Sequence, residues 1–122
     1  MKHLLFTLFI AFISLPALAQ ETNSTPVLKE VEAEYVCMVN DTLFEKPQIP
    51  VQVGEKTYYG CCAGCVAALQ NDDAIRVGID PVSGAEVDKT EAVIGADADY
   101  KVYYFENTEN LKSYKVSTPE DE

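Results

Sequence analysis

Four cysteines dominate this chain, Cys37 and the run Cys61-Cys62-Ala63-Gly64-Cys65, and the only histidine is His3. Once a leader is removed, no imidazole accompanies the thiols. A cysteine set of this kind cannot build a His-ligated catalytic zinc site or a Cys-His nucleophile pair, so acyl transfer and most metallohydrolase chemistry are excluded. Soft-metal binding, thiol redox chemistry and structural disulfides remain.

The first residues read as a targeting segment. Met1-Lys2-His3 gives a short basic start, Leu4 to Leu15 is almost unbroken in its apolar character, and Ala17-Leu18-Ala19 has the small-x-small form of a cleavage site. We expect a secretory signal peptide over residues 1–19, cleaved after Ala19. The run is shorter than the roughly 20 residues a membrane span needs and ends in Pro16, so no stable membrane anchor is expected. No cysteine stands at the cleavage point to carry a lipid. The expected location is the periplasm. About 100 residues then remain, enough for one small domain and too few for two independent ones. They carry eight basic against twenty acidic side chains, a net charge near −12, which makes nucleic acid and anionic membranes poor partners.

Residues 20–34 (QETNSTPVLKEVEAE) are polar, contain Pro26 and lack a period, so a flexible leader is expected there, with one helical turn near its end. Ser117 to Glu122 is expected to be an acidic tail. Between them the chain repeats itself. Val36-Cys37 leads to Tyr58-Tyr59-Gly60-Cys61 and Cys65, and Val82-Ser83 leads to Tyr103-Tyr104-Phe105-Glu106 and Asn110, with offsets of 24 and 4 residues against 23 and 4. In the first unit, Ile49 to Val53 and Lys56 to Tyr59 flank the turn Gly54-Glu55 as a hairpin. In the second, Glu91 to Ile94 and Tyr100 to Phe105 are strands around the loop Gly95 to Asp99, a solvated turn without the ligand spacing of a calcium site. After each tyrosine pair the period turns helical, with Cys62, Val66 and Leu69 on one face of 63–70, and Leu111 and Tyr114 on one face of 108–114. The expected fold is α+β, one compact domain of two tandem units, residues 35–78 and 79–116, each a β-hairpin followed by a short helix. The second unit is expected to be structural.

The chemistry belongs to the first unit. Cys61 ends a strand and Cys65 follows one helical turn later, so their sulfurs can face one point that Cys37 reaches from an earlier loop. Amides and the dipole at the helix start favour thiolates there. Cys37, Cys61 and Cys65 would form a three-sulfur site with a fourth position open to Cys62, Met38, a carboxylate or water. Such a set suits Cu(I), Zn(II) or a heavier thiophilic ion. Met38, beside apolar Val39, reads first as core filling.

These residues resemble the TRASH and YHS group of small metal-binding domains. The resemblance rests on Val36-Cys37, the hairpin, Tyr58-Tyr59-Gly60-Cys61 and Cys65, and on Asp80-Pro81-Val82-Ser83-Gly84, similar to an Asp-Pro-Val-Cys-Gly opening with its cysteine replaced. It spans residues 35–116, one copy intact and one degenerate, and implies treble-clef-like units. It also implies a role in heavy-metal sensing, trafficking or resistance, with a metal efflux or metalloprotein assembly system as partner. Cys62 is additional to the group's pattern, Met38-Val39-Asn40-Asp41 replaces its usual opening, and Ser83, Glu106 and Asn110 stand where the second unit's ligands would be.

Two other readings stay open. Four cysteines can form two disulfides in three pairings, one of which needs a strained bridge between the adjacent Cys61 and Cys62, giving a disulfide-stabilised interaction module. Cys62-Ala63-Gly64-Cys65 also fits the Cys-x-x-Cys of thiol oxidoreductases, although hairpins rather than a buried parallel strand precede it. No carboxylate pairing suggests general acid-base catalysis, and a thiol oxidoreductase is the sole enzyme reading. The expected function is binding, trafficking or buffering of a thiophilic metal.

Overall fold

The computed structural model describes residues 28–116; the expected signal peptide, residues 20–27 of the expected leader and the acidic tail lie outside them. The described residues form β1 (Lys29–Val31), β2 (Val36–Cys37), β3 (Thr42–Leu43), β4 (Ile49–Val53), β5 (Lys56–Gly60), α1 (Ala63–Asn71), β6 (Val77–Ile79), β7 (Glu86–Asp88), β8 (Val93–Ala96), β9 (Val102–Phe105) and α2 (Thr108–Ser113). The fold is therefore mixed α+β, and the order hairpin, hairpin, helix occurs twice along it. No described helix is long and apolar enough to cross a membrane.

The β4–β5 hairpin forms where its sequence places it. Gly54 holds a φ of 62° at the turn, a left-handed conformation that glycine adopts without a Cβ clash. Val51 pairs with Tyr58 across the two strands, and both are buried. Helix α1 then lays Cys65 and Leu69, four residues apart, against the hairpin, while Cys62 stays exposed at its N-cap. The expected helical face through Cys62 is thus corrected by one step. Cys62 has an extended backbone with φ −155° and ψ 171°, outside the helix whose rotation the pattern assumed.

The second hairpin pair resolves slightly differently from its expected bounds. β8 begins at Val93, after a turn in which the Glu91 N–H donates to the Asp88 carbonyl, and β9 begins at Val102, because the Asp97 carboxylate accepts from the N–H groups of Asp99 and Lys101 and tightens the intervening turn. β2–β3 and β6–β7 were not expected. Strands of two or three residues carry no readable alternation. The division expected between residues 78 and 79 falls inside β6.

Residues 28–34 depart most from expectation. They were expected within a flexible leader, yet β1 pairs antiparallel with β8, Lys29 opposite Ala96 and Val31 opposite Ile94. The three-stranded sheet has the order β1-β8-β9, so β1 covers an edge of β8 that would otherwise leave backbone groups unpaired. Leu28 anchors the strand by packing with Phe105 and Leu111. Three residues reading Lys-Glu-Val show no such role in sequence. The expected helical turn near Glu34 is a single 3-10 turn over Ala33–Tyr35.

Both halves share one core. Val36, Met38, Val51, Tyr58 and Leu69 from the first half pack in a single cluster with Ile94, Ala96, Val102 and Tyr104 from the second. Met38 is fully buried within it, as its apolar neighbour suggested.

Candidate metal centre

The site is assembled on three pieces of backbone. Cys37 ends β2, and the turn after it is held by Met38 N–H donating to the Tyr59 carbonyl at 2.9 Å. That bond ties the loop to β5, next to Cys61. Gly60 then lets α1 approach. A Cβ at this position would lie 3.1 Å from the Cys65 Cβ and 3.4 Å from its carbonyl carbon, tighter than ordinary packing. The absent side chain places Cys65 beneath Cys61.

Three sulfurs meet as a result. Cys65 Sγ lies 3.9 Å from Cys37 Sγ and 3.6 Å from Cys61 Sγ, and the three ligand atoms all fall within 4.8 Å of one another. A thiolate metal site with bonds of about 2.3 Å and tetrahedral angles requires sulfurs about 3.8 Å apart. The separations of 3.6 and 3.9 Å straddle that value. Cys37 and Cys65 are buried, and Cys61 is half-buried. Of the four expected ligands, Cys62 is the one that does not join this group. It is exposed, and its Sγ is 3.3 Å from that of Cys65. All four thiols are free.

The electrostatics divide the four sulfurs into two kinds. Burial pushes the Cys37 thiol up, but the backbone amides of Asn40 and Val39 outweigh it and leave the thiol below its ordinary value. Cys62 is lowered first by the Cys65 backbone amide and then by the Cys65 side chain. Cys65 is pushed up to about 12 by burial, with hydrogen bonding to the three neighbouring thiols adding to the rise. Cys61 is raised first by its hydrogen bond with Cys37 and then by burial. Cys37 and Cys62 therefore give up their protons more readily than Cys61 and Cys65 do.

Several surrounding groups escaped sequence reasoning. Asn40 Nδ2 donates to Cys61 Sγ at 3.4 Å. Lys89, from the second half, is buried; its Nζ donates to the Met38 carbonyl at 2.6 Å and to Asp41 Oδ1 at 3.2 Å. Tyr104 OH donates to the same Asp41 oxygen at 2.8 Å, and the Lys89 ammonium lies 4.9 Å from the centre of the Tyr104 ring. Asp41 itself sits at φ 51°, a conformation short polar side chains tolerate better than most. A positive charge is thereby fixed beside the loop that carries Cys37. Nothing in the local pattern around Lys89 marks it as buried. A cleft of about 270 Å³ is lined by Lys46, Pro47, Gln48, Ile49, Gly60 and Cys61.

At the equivalent stage of the second half the chemistry is different. Asp80, directly after β6, is fully buried and its carboxylate accepts from the N–H groups of Val82, Ser83 and Glu106 and from Asn110 Nδ2. Of the three residues matched in sequence to the ligand positions, Glu106 and Ser83 contribute backbone amides and Asn110 its side chain. Burial raises the Asp80 carboxyl, but these donors outweigh it and hold it at about 2.

No protein-family model, curated protein or solved structure matches the chain.

Proposed function

We propose that the chain is a periplasmic domain of the TRASH and YHS type that holds one thiophilic metal ion, Cu(I) or Zn(II), on Cys37, Cys61 and Cys65. The observation that carries this reading is the convergence of three thiols, Cys37 from the end of β2 and Cys61 and Cys65 from the turn between β5 and α1, at 3.6 and 3.9 Å. Exported thiols brought this close without a metal are prone to oxidation. Soft sulfur donors without histidine favour these ions over hard cations. The ion is cargo. Three protein ligands leave a coordination position for a donor from a receiving protein, and the cleft beside half-buried Cys61 gives that donor a way in. Trafficking or buffering for an efflux or assembly system follows from ligand exchange at that position.

We also infer that the halves are copies of one treble-clef-like unit. Supporting this, the residues that cap α1 and α2, Cys62 and Asn107, have nearly the same backbone angles, φ −155°, ψ 171° and φ −156°, ψ 169°. The second copy has exchanged a metal for the carboxylate of Asp80.

Anaerobic purification of the reduced protein, with elemental analysis and thiol counting on the same sample, tests the function. One metal per chain and reactive thiols after its removal are expected. Two disulfides and no metal would end the proposal in favour of a disulfide-stabilised module.

A further inference from the structure

Cys62 is the one thiol of the four without a place in the three-sulfur group, and it is the most exposed. Its sulfur is nevertheless 3.3 Å from Cys65, closer than Cys65 lies to either of its two other neighbours at 3.6 and 3.9 Å. The cause is local. Cys62 caps α1 and Cys65 is the third residue of the helix, a spacing that brings the cap side chain over the first turn. Cys65 thus stands between two alternatives, ligand to a metal with Cys37 and Cys61, or disulfide partner of Cys62.

Resting on the proposed metal-binding role, we propose that Cys62 is a thiol-disulfide exchange site whose reaction withdraws Cys65 from a bound Zn(II) and releases that ion. The co-reactant is a disulfide, written RSSR. Cys62 meets it first, since Cys37 and Cys65 are buried. The Cys62 thiol loses its proton and attacks one sulfur of RSSR, forming a mixed disulfide and expelling RS⁻, which takes up that proton. The Cys65 thiolate leaves the metal and attacks Cys62 Sγ, expelling the second RS⁻, which takes a proton from solvent. Two cysteine sulfurs are oxidised, one disulfide is reduced to two RSH, and the metal departs with its valence unchanged. The sulfurs need only close from 3.3 Å to about 2.05 Å, within reach of side-chain rotation because the two residues already share one helical turn. Cys37 and Cys61 are left as a two-sulfur site, two donors short of the four that Zn(II) prefers, and too poor to retain that ion.

The test loads the reduced full chain with Zn(II), adds excess oxidised glutathione, follows zinc release with a chromophoric chelator and maps disulfides by mass spectrometry. Wild type is expected to release its zinc as a Cys62–Cys65 disulfide accumulates in equal amount. Cys62→Ser, which alters an exposed side chain, is expected to bind zinc as wild type does and to release it at least tenfold more slowly. If Cys62→Ser released zinc at the wild-type rate, or the bridge formed between Cys61 and Cys65 instead, the switch would be overturned while metal binding stood. If the reduced wild type bound neither Zn(II) nor Cu(I), the proposed function would fail at the loading step and the switch with it.

Discussion

Single side chains decide whether three sulfurs meet. Cys37→Ser, Cys61→Ser and Cys65→Ser should each lower metal affinity by orders of magnitude, because no nearby imidazole can replace a lost thiolate, whereas Cys62→Ser should lower it little. Competition titration against a chelator of known affinity separates the two classes, and an indispensable Cys62 beside a dispensable Cys61 would contradict the ligand set. Gly60→Ala tests the packing instead of the ligands. The added methyl meets the Cys65 Cβ at 3.1 Å, so Cys65 must give by a few tenths of an ångström, at a cost of about 1–3 kcal/mol, and metal affinity should fall although no ligand is changed. Unchanged affinity in this variant would mean that α1 positions Cys65 by other contacts. Lys89→Met removes donors from the Met38 carbonyl and Asp41, and denaturant unfolding should show a loss of about 1–3 kcal/mol. These residues also show where sequence reasoning stopped. Cys37, Cys61 and Cys65 were legible because thiols are rare and their spacing is stereotyped. Asn40, Asp41 and Lys89 were not, since their roles arise from contacts between segments far apart in the chain, and a charged residue gives no local sign of burial.

Among elements, the hairpin β4–β5 and both helices were legible because each has a turn glycine or a sustained period. The miniature strands were too short for either signal, and β1 exists only through its pairing with β8. Asp80 shows the same limit, for its place in Asp80-Pro81-Val82-Ser83-Gly84 gave no sign of its burial. Its network makes a prediction about acid. The Asp80 carboxyl titrates at about 2 in the folded chain, below its ordinary 3.8, so the unfolded chain takes up the proton first. The stabilisation is complete above the unfolded value and is lost as the pH falls through the window between them. Asp88, also held at about 2 although burial opposes it, because Lys56, Thr90 and Tyr58 donate to it, adds a loss of the same sign. Urea denaturation should therefore give decreasing stability from about pH 4 downwards. Asp80→Asn should lose about 1–3 kcal/mol near neutrality and decline less steeply in acid. An equally steep decline in this variant would show that Asp80 does not account for its share.

For the molecule as a whole, metal and fold are linked. The loop at Cys37, the end of β5 and the start of α1 come together only in the folded chain, so an ion bound there stabilises it by mass action. At a hundredfold excess over Kd the gain is about 2.7 kcal/mol, on the order of 10–20 °C in Tm for a domain of this size. Alkylating the reduced protein before loading should abolish both the bound metal and the shift. Alkylated protein that kept its affinity would move the site to the acidic surface, where binding would be weak and salt-sensitive.

The pairing of β1 with β8 has a further consequence for how the chain reaches its native state. Lys29 must wait for Ala96, so the first described strand cannot dock until most of the chain has been made. Closing so long a segment is entropically costly and slow, while the hairpin β4–β5 and helix α1 need only near neighbours. The segment that carries Cys61 and Cys65 can thus form early, whereas the Cys37 loop is held by Lys89, Tyr100 and Val102 and completes the cluster only with the second half. A chain appearing from its N-terminus would present Cys61, Cys62 and Cys65 in place before Cys37 is locked beside them, while the edge of the sheet was still open.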